Sequence, residues 1–219
     1  MDAATMSRVI ARLERAAPSW PVTALADVSR ATGQDPFRIL IGCLLSLRTQ
    51  DRTTAGACAR LFALADTPAA LRRLSRPVIE KAIYPVGFYR TKAKVLLKVA
   101  SLLGSQFGDR VPNDIDALLG LPGVGRKTAN LVVTFGFDSP GICVDTHVHR
   151  ISNRLGFVRT RTPEETEWAL RAKLPERHWI GLNDLLVAFG QNVCHPVSPK
   201  CSGCAVSRWC GRVGVRVSR

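Results

Sequence analysis

The run Leu121-Pro122-Gly123-Val124-Gly125-Arg126-Lys127-Thr128-Ala129-Asn130 constrains this chain more than any other segment. Pro122 ends whatever helix precedes it, because its ring removes an amide donor and restricts Leu121 before it. Gly123 and Gly125 allow positive φ and the close approach of another backbone. The residues beyond them suit a helix. Its first-turn amides have no partner inside the helix, so with the dipole they can hold a phosphate. Lys127 stands on that first turn, and Asp145 follows 18 positions later in Val144-Asp145-Thr146-His147. Two plainer readings compete. A Pro-Gly turn can simply join two helices. A Gly-rich turn before Lys-Thr suggests a P-loop, but Arg126 separates Gly125 from Lys127-Thr128 and no strand pattern precedes the turn.

A second constellation closes the chain. Cys194, Cys201, Cys204 and Cys210 are spaced C-x6-C-x2-C-x5-C. Four thiols so close in sequence can converge on one small metal centre, and the spacing argues against a long disulfide framework. Zinc accepts four thiolates, although only Cys201 and Cys204 form the C-x2-C unit that zinc knuckles pair. An iron–sulfur cluster tolerates mixed short spacings. The residues favour the cluster and leave zinc open. Cys43, Cys58 and Cys143 sit in apolar or helical contexts and read as buried structural thiols. Four cysteines committed to metal point to a reducing compartment.

Composition sets the partner class. Lys and Arg number 31 against 17 Asp and Glu, a net charge of +14 in 219 residues. Nucleic acid is the usual reason for that imbalance, and the charges are spread along the chain rather than gathered in a tail. A membrane surface would also attract such charge, but no strongly basic amphipathic anchor is evident. The N-terminal residues hold no apolar signal stretch, and Ile39 to Leu47 is too short to span a bilayer. The expectation is a soluble, cytoplasmic protein, associated with the nucleoid if bacterial.

The periodicity predicts an all-α chain. Ser7–Ala17 places Ile10 and Leu13 on one face, and Pro36 to Leu47 is apolar nearly all round, as a central buried helix would be. Thr91 to Phe107 carries Val95, Leu96, Val99, Leu102 and Leu103 at helical spacing, with Lys92, Lys94 and Lys98 largely outside that stripe. Thr162-Pro163-Glu164-Glu165 is a helix start, with a capping residue, a proline and acids on the dipole. Asn183 to Val193 resumes the pattern before Cys194. Alternating strand runs, internal repeats and low-complexity linkers are absent from the pattern.

The hairpin, the lysine, the aspartate and the four cysteines together resemble the endonuclease III family of DNA glycosylases, which carries a helix-hairpin-helix and a Gly/Pro-Asp signature. The resemblance runs the length of the chain. It implies a six-helix domain over residues 29–140, and a cluster domain formed by residues 1–28 and 141–219. A cleft between them would hold Lys127 on one wall and Asp145 on the other. It also implies a [4Fe–4S] cluster on Cys194, Cys201, Cys204 and Cys210. Lys127 would be the nucleophile, and Asp145 its proton acceptor and the partner of the developing sugar cation. For either residue alone, plainer roles exist: a phosphate clamp for Lys127, and a helix cap before Thr146–Leu155 for Asp145.

The same resemblance assigns DNA contacts. Gly123, Val124, Gly125 and Arg126 would meet phosphate through the hairpin. Leu45 to Asp51 matches a loop whose side chain fills the gap left by a flipped base. Arg48 stands where the family often has glutamine, with Gln50 two positions on. Gly87 to Ala93 matches a second loop with Phe88 at a wedge position, and an apolar wedge between bases is a known device; Phe88 as core is the competing reading. His195 and Lys200 are the basic groups between Cys194 and Cys201, and Leu119 replaces a carboxylate often found before the hairpin. His147 and His149 form a His-x-His without a third ligand, a poor zinc site. His147 is expected to support the site and His149 to be exposed. The implied function is a monomeric, bifunctional DNA glycosylase and AP lyase acting on oxidised pyrimidines and abasic sites in duplex DNA. The alternatives are a monofunctional mismatch-specific glycosylase and a non-catalytic iron–sulfur protein that binds DNA or signals redox state.

Overall fold

Six of the described helices start on an acidic or hydroxyl side-chain cap, and in three of these a proline follows. Asp35 accepts from the Arg38 amide at 2.8 Å with Pro36 at the first turn, and Thr67 and Thr162 do the same before Pro68 and Pro163. A side-chain oxygen at that position satisfies an amide that the helix cannot. In the computed structural model, which describes residues 1–20 and 34–219, every regular element among the described residues is helical. The chain is all-α, as its periodicity predicts. No helix among the described residues is long and apolar enough to cross a membrane.

The chain divides into two compact units, Asp27–Ser139 and Met1–Ala26 with Pro140–Arg219. The boundary expected between residues 28 and 29 lies outside the described residues. In the first unit the central element is α2, Pro36–Ser46 (α1 is Ala3–Ala16, in the other unit). Phe37 and every residue from Ile39 to Leu45 are buried in it. Around it stand α3 (Asp51–Leu64), α6 (Tyr89–Phe107) and α8 (Arg126–Phe137), with α4 (Pro68–Arg73) and α5 (Arg76–Ile83) against α6 and α7 (Ile115–Leu119) against α8. A helix apolar on all faces must be enclosed on all faces. α6 starts at Tyr89, two residues earlier than the apolar stripe suggests, and ends at Gly108 with φ 59°.

The other unit is built on α1, α9 (Thr146–Leu155), α10 (Pro163–Lys173) and α11 (Trp179–Asn192). Met6, Val9, Ile10 and Leu13 of α1 join Val148, Ile151, Leu186 and Phe189 in its core. α1 begins before Ser7 because Asp2 caps it, accepting from the Thr5 amide at 2.7 Å. α11 begins at Trp179 rather than Asn183, since the 3-10 turn Glu176–His178 leads straight into it.

The enclosure of α2 gives the first prediction. Leu40 has no exposed surface, so Leu40→Ala removes packed atoms and leaves a cavity. It should lower stability by about 2–5 kcal/mol. The expected readout is a lower urea midpoint with an unchanged slope.

Candidate functional site

Leu121 to Val124 form a tight turn, closed by the Val124 amide donating to the Leu121 carbonyl at 3.2 Å. Pro122 and Gly123 occupy its two central positions, and Gly123 takes φ 79°, the pairing that a type II turn requires. A Cβ on Gly123 would also press against Leu44 Cδ2 and Val95 Cγ1, both at 3.3 Å. Gly125 departs from the expectation. Its φ is −102°, it is the N-cap of α8, and a Cβ there would meet nothing within 4 Å. Its glycine is therefore required by nothing inside the protein. No side chain caps α8, and Lys127 lies exposed on its first turn, with Arg126 half-buried and Val124 buried. Asn130, fully buried, donates to the Arg126 carbonyl at 3.0 Å and ties that turn to the next. An uncapped N-terminus beside an exposed lysine can take an anion and present an amine to it.

The two loops read as DNA probes meet in the same unit. Arg48 and Gln50 are exposed, and Phe88 is 65% exposed, which removes the reading of Phe88 as core. Both Arg48 (φ 53°) and Phe88 (φ 58°) adopt the left-handed region. The Arg48 guanidinium carbon lies 5.9 Å from the centroid of the Phe88 ring. Lys92, expected on the outer face of its helix, is instead half-buried. Its ammonium donates to the carbonyls of Leu45 and Leu47 at 2.7 and 2.6 Å and to Thr49 Oγ1 at 3.2 Å. Burial holds the Lys92 ammonium below the usual lysine range. Lys92, Leu96, Val99 and Leu103 fall four, three and four residues apart, so the lysine heads the apolar stripe. That register is the signal the sequence reading passed over.

In the other unit Asp145 caps α9. Its Oδ1 accepts from the amides of His147 at 2.9 Å and Val148 at 2.8 Å, so its second oxygen takes part in neither bond. His147 is half-buried with Nδ1 3.3 Å from Arg150 Nη2. His149 is not simply exposed: its Nδ1 shares a 2.7 Å hydrogen bond with Thr166 Oγ1. Lys127 belongs to one unit and Asp145 to the other.

Cys194, Cys201, Cys204 and Cys210 line one pocket, with Arg154 and Val206. No cysteine among the described residues forms a disulfide, and Cys58 is half-buried where Cys43 and Cys143 are buried. Burial pushes the Cys43 thiol up to about 12 and the Cys58 thiol to about 11. Around the pocket, N–H groups aim at sulfur. Arg154 Nη1 lies 3.4 Å from Cys194 Sγ and the Arg212 amide 3.4 Å from Cys210 Sγ. The buried Arg154 also donates to the carbonyls of His195 at 2.7 Å and Pro196 at 3.0 Å, fixing the loop after Cys194. Burial first, and then the neighbouring thiols, push the Cys204 and Cys210 thiols up. Such mutual repulsion is relieved by a cationic group among them. Among the described residues, no three His, Cys, Asp or Glu side chains are gathered as one metal ion needs. In the loop, Lys200 is exposed and His195 half-buried. Desolvation first, and then the charges of Lys200, Arg219 and Arg150, pull the His195 imidazole down.

Residues 41–176 match the profile described as HhH-GPD superfamily base excision DNA repair protein. The chain is 47% identical to the endonuclease III of Thermotoga maritima over 176 residues, which is 80% of this chain and 83% of that one. It spans about half the length (48%) of the chloroplastic endonuclease III homolog 1 of Arabidopsis thaliana. Among solved structures it resembles a non-covalent endonuclease III–DNA complex, with a TM-score of 0.82 and 32% identity over 97% of this chain and 96% of that one. A trapped endonuclease III–DNA covalent intermediate matches with a TM-score of 0.74 and 37% identity, over 81% of this chain and 84% of that one.

The contrast between the two hairpin glycines is testable without any ligand. Gly125→Thr fits the extended backbone and open space, so it should change stability by less than about 1 kcal/mol. Gly123→Thr forces a β-branched residue to φ 79° against Leu44 and Val95, which should cost about 1–3 kcal/mol. Parallel thermal melts decide it, and equal losses would contradict the geometry.

Proposed function

Because the chain belongs to the HhH-GPD superfamily of base excision DNA repair proteins, and within it to the endonuclease III family, we propose that it is a bifunctional DNA glycosylase and AP lyase. It removes oxidised pyrimidines from duplex DNA and cleaves 3′ to the abasic site. The observation that carries this reading is the exposed Lys127 on the first turn of α8, directly after the uncapped Gly123–Gly125 hairpin. A monofunctional glycosylase activates water and needs no amine there.

DNA phosphate would lie against the hairpin amides, supported by Arg126 and by the net charge of +14. Phe88, exposed, suits the wedge, with Arg48 or Gln50 filling the space of the extruded nucleotide. His147 and Lys200 are proposed as further DNA contacts. Lys127, as a neutral amine, attacks C1′ of the extruded sugar. The C1′–base bond breaks, its electron pair leaves with the base, and the amine's proton passes to Asp145. The carboxylate also opposes the positive charge that gathers on the sugar. The sugar ring opens to a lysine imine. Loss of a C2′ proton then forms the C2′–C3′ double bond and expels the 3′ phosphate. The protein acts as a monomer on a single lesion, in the cytoplasm and with the nucleoid if the source is bacterial.

The four thiols fit a [4Fe–4S] cluster, and their C-x6-C-x2-C-x5-C spacing differs from the paired C-x2-C units of a zinc knuckle. They share a pocket, and Cys194 and Cys210 receive N–H donors at sulfur, as thiolates on a cluster do. Cys194, Cys201, Cys204 and Cys210 would hold it, and when bound it supplies binding energy that folds the loop. Cys204→Ser should yield protein with less iron and a weakened broad visible absorbance. A colourless parent protein with stoichiometric zinc would overturn the assignment.

Borohydride reduction tests the mechanism. The parent protein should form a stable adduct with abasic DNA, and Lys127→Ala should lose the adduct and strand cleavage while retaining most of its affinity, since binding rests on many contacts. Asp145→Asn keeps an N-cap acceptor for the His147 and Val148 amides. The fold should therefore survive while base release slows by roughly two or more orders of magnitude. Trapping that persists in Lys127→Ala would assign the nucleophile elsewhere.

A further inference from the structure

The last residue of α2 is Ser46, and the chain then turns through Leu47 and Arg48 before α3. Carbonyls at a helix C-terminus have no partner within the helix and carry the negative end of its dipole. Those of Leu45 and Leu47 are met by an ammonium from a different helix. Lys92 Nζ reaches them at 2.7 and 2.6 Å and reaches Thr49 Oγ1 at 3.2 Å. An ammonium has three N–H groups, and each has an acceptor here. All three acceptors lie within five residues, from the last turn of α2 into the loop that follows it.

The reverse connection is equally close. Thr49 Oγ1 accepts from the Gly87 amide at 3.2 Å. A Cβ on Gly87 would stand 2.7 Å from the Arg48 carbonyl oxygen, so the two backbones meet at a separation that only glycine permits. On either side of this junction stand Arg48 and Phe88, both exposed and both left-handed. Non-glycine residues hold that conformation only where their surroundings impose it.

We propose that Lys92 is a positioning residue that locks the Leu45–Gln50 loop to the start of α6. The gap-filling side chain and the Phe88 wedge then enter the duplex as one rigid pair. This rests on the reading of these loops as DNA probes. An isolated wedge can unstack a base step, but extrusion persists only if the vacated space is filled at the same moment, and a fixed spacing between the two side chains meets that need. Lys92 touches no DNA in this scheme and takes no part in the chemistry.

Lys92→Met preserves the length and apolar stem of the side chain and removes its donors. Thr49→Val removes the shared hydroxyl and leaves Lys92 with its two carbonyls. Two substrates separate positioning from catalysis. An abasic site in a single strand needs no extrusion, whereas thymine glycol in a duplex does. Lys92→Met should leave borohydride trapping on the single-stranded substrate unchanged and slow duplex base release about 10- to 100-fold, the scale of a misplaced group. It should also abolish the fluorescence rise of 2-aminopurine placed beside an uncleavable abasic analogue in a duplex. Thr49→Val should show the same split to a lesser degree, and it carries the test if Lys92→Met does not fold. Combining Lys92→Met with Phe88→Ala should be little worse than Phe88→Ala alone, because the two act as a unit. Equal losses on both substrates would mean a merely structural lysine, and full activity on both, or additive losses in the double variant, would also overturn the proposal. A parent protein that traps neither substrate would overturn the glycosylase and lyase reading itself, and this proposal with it.

Discussion

The contact between α8 and α2 is the constraint on which the Asp27–Ser139 unit depends. At one end of α8 the turn residue Gly123 sits against Leu44, late in α2. At the other, a Cβ on Gly136 would stand 3.0 Å from Pro36 Cα, at the start of α2. The two helices therefore run antiparallel and approach as closely as glycine allows. α2 is buried nearly all round, so it cannot shift to accommodate a bulkier neighbour. The consequence reaches the surface: with α8 seated against a closed core, its uncapped N-terminus and Lys127 have a fixed position rather than a loop's freedom.

The same economy governs the probing loops. α2 ends where Arg48 and Gln50 begin, and α6 begins where Phe88 ends, so both functional segments are extensions of packed helices. Lys92 joins them by meeting carbonyls that α2 leaves open. Even a half-buried ammonium gives up water and needs its donors matched, and here all three are. In the other unit the buried Arg154 plays a comparable part. It spends its donors on Cys194 Sγ and on the His195 and Pro196 carbonyls, holding the first cysteine of the set in register with α9.

Much of this was legible residue by residue. The Pro-Gly turn, the Thr162-Pro163 start and the apolar run of Pro36 to Leu47 are local signals, and each produces the element it predicts, because capping and periodicity act within a turn or two of helix. The four closely spaced cysteines line one pocket for a similar reason, since a short loop cannot carry its thiols far apart. Several readings failed where the decisive partner is remote. His149 shares its bond with Thr166, 17 residues on. Lys92 takes acceptors 45 and 47 residues back. Gly125 differs for a local reason: it begins α8, with an ordinary φ of −102°, where Gly123 closes the turn.

By itself, then, the sequence determined the helical class, the caps and breaks, the hairpin before Lys127 and the grouping of the terminal cysteines. These rest on short-range sterics and on amides that must be satisfied within a few residues. Only the tertiary structure decided that Phe88 stands out in solvent, that Lys92 turns inward, and that Arg154 is buried against Cys194. Those outcomes depend on which distant carbonyl, sulfur or apolar face arrives beside a side chain, and no pattern within one helix encodes that neighbour.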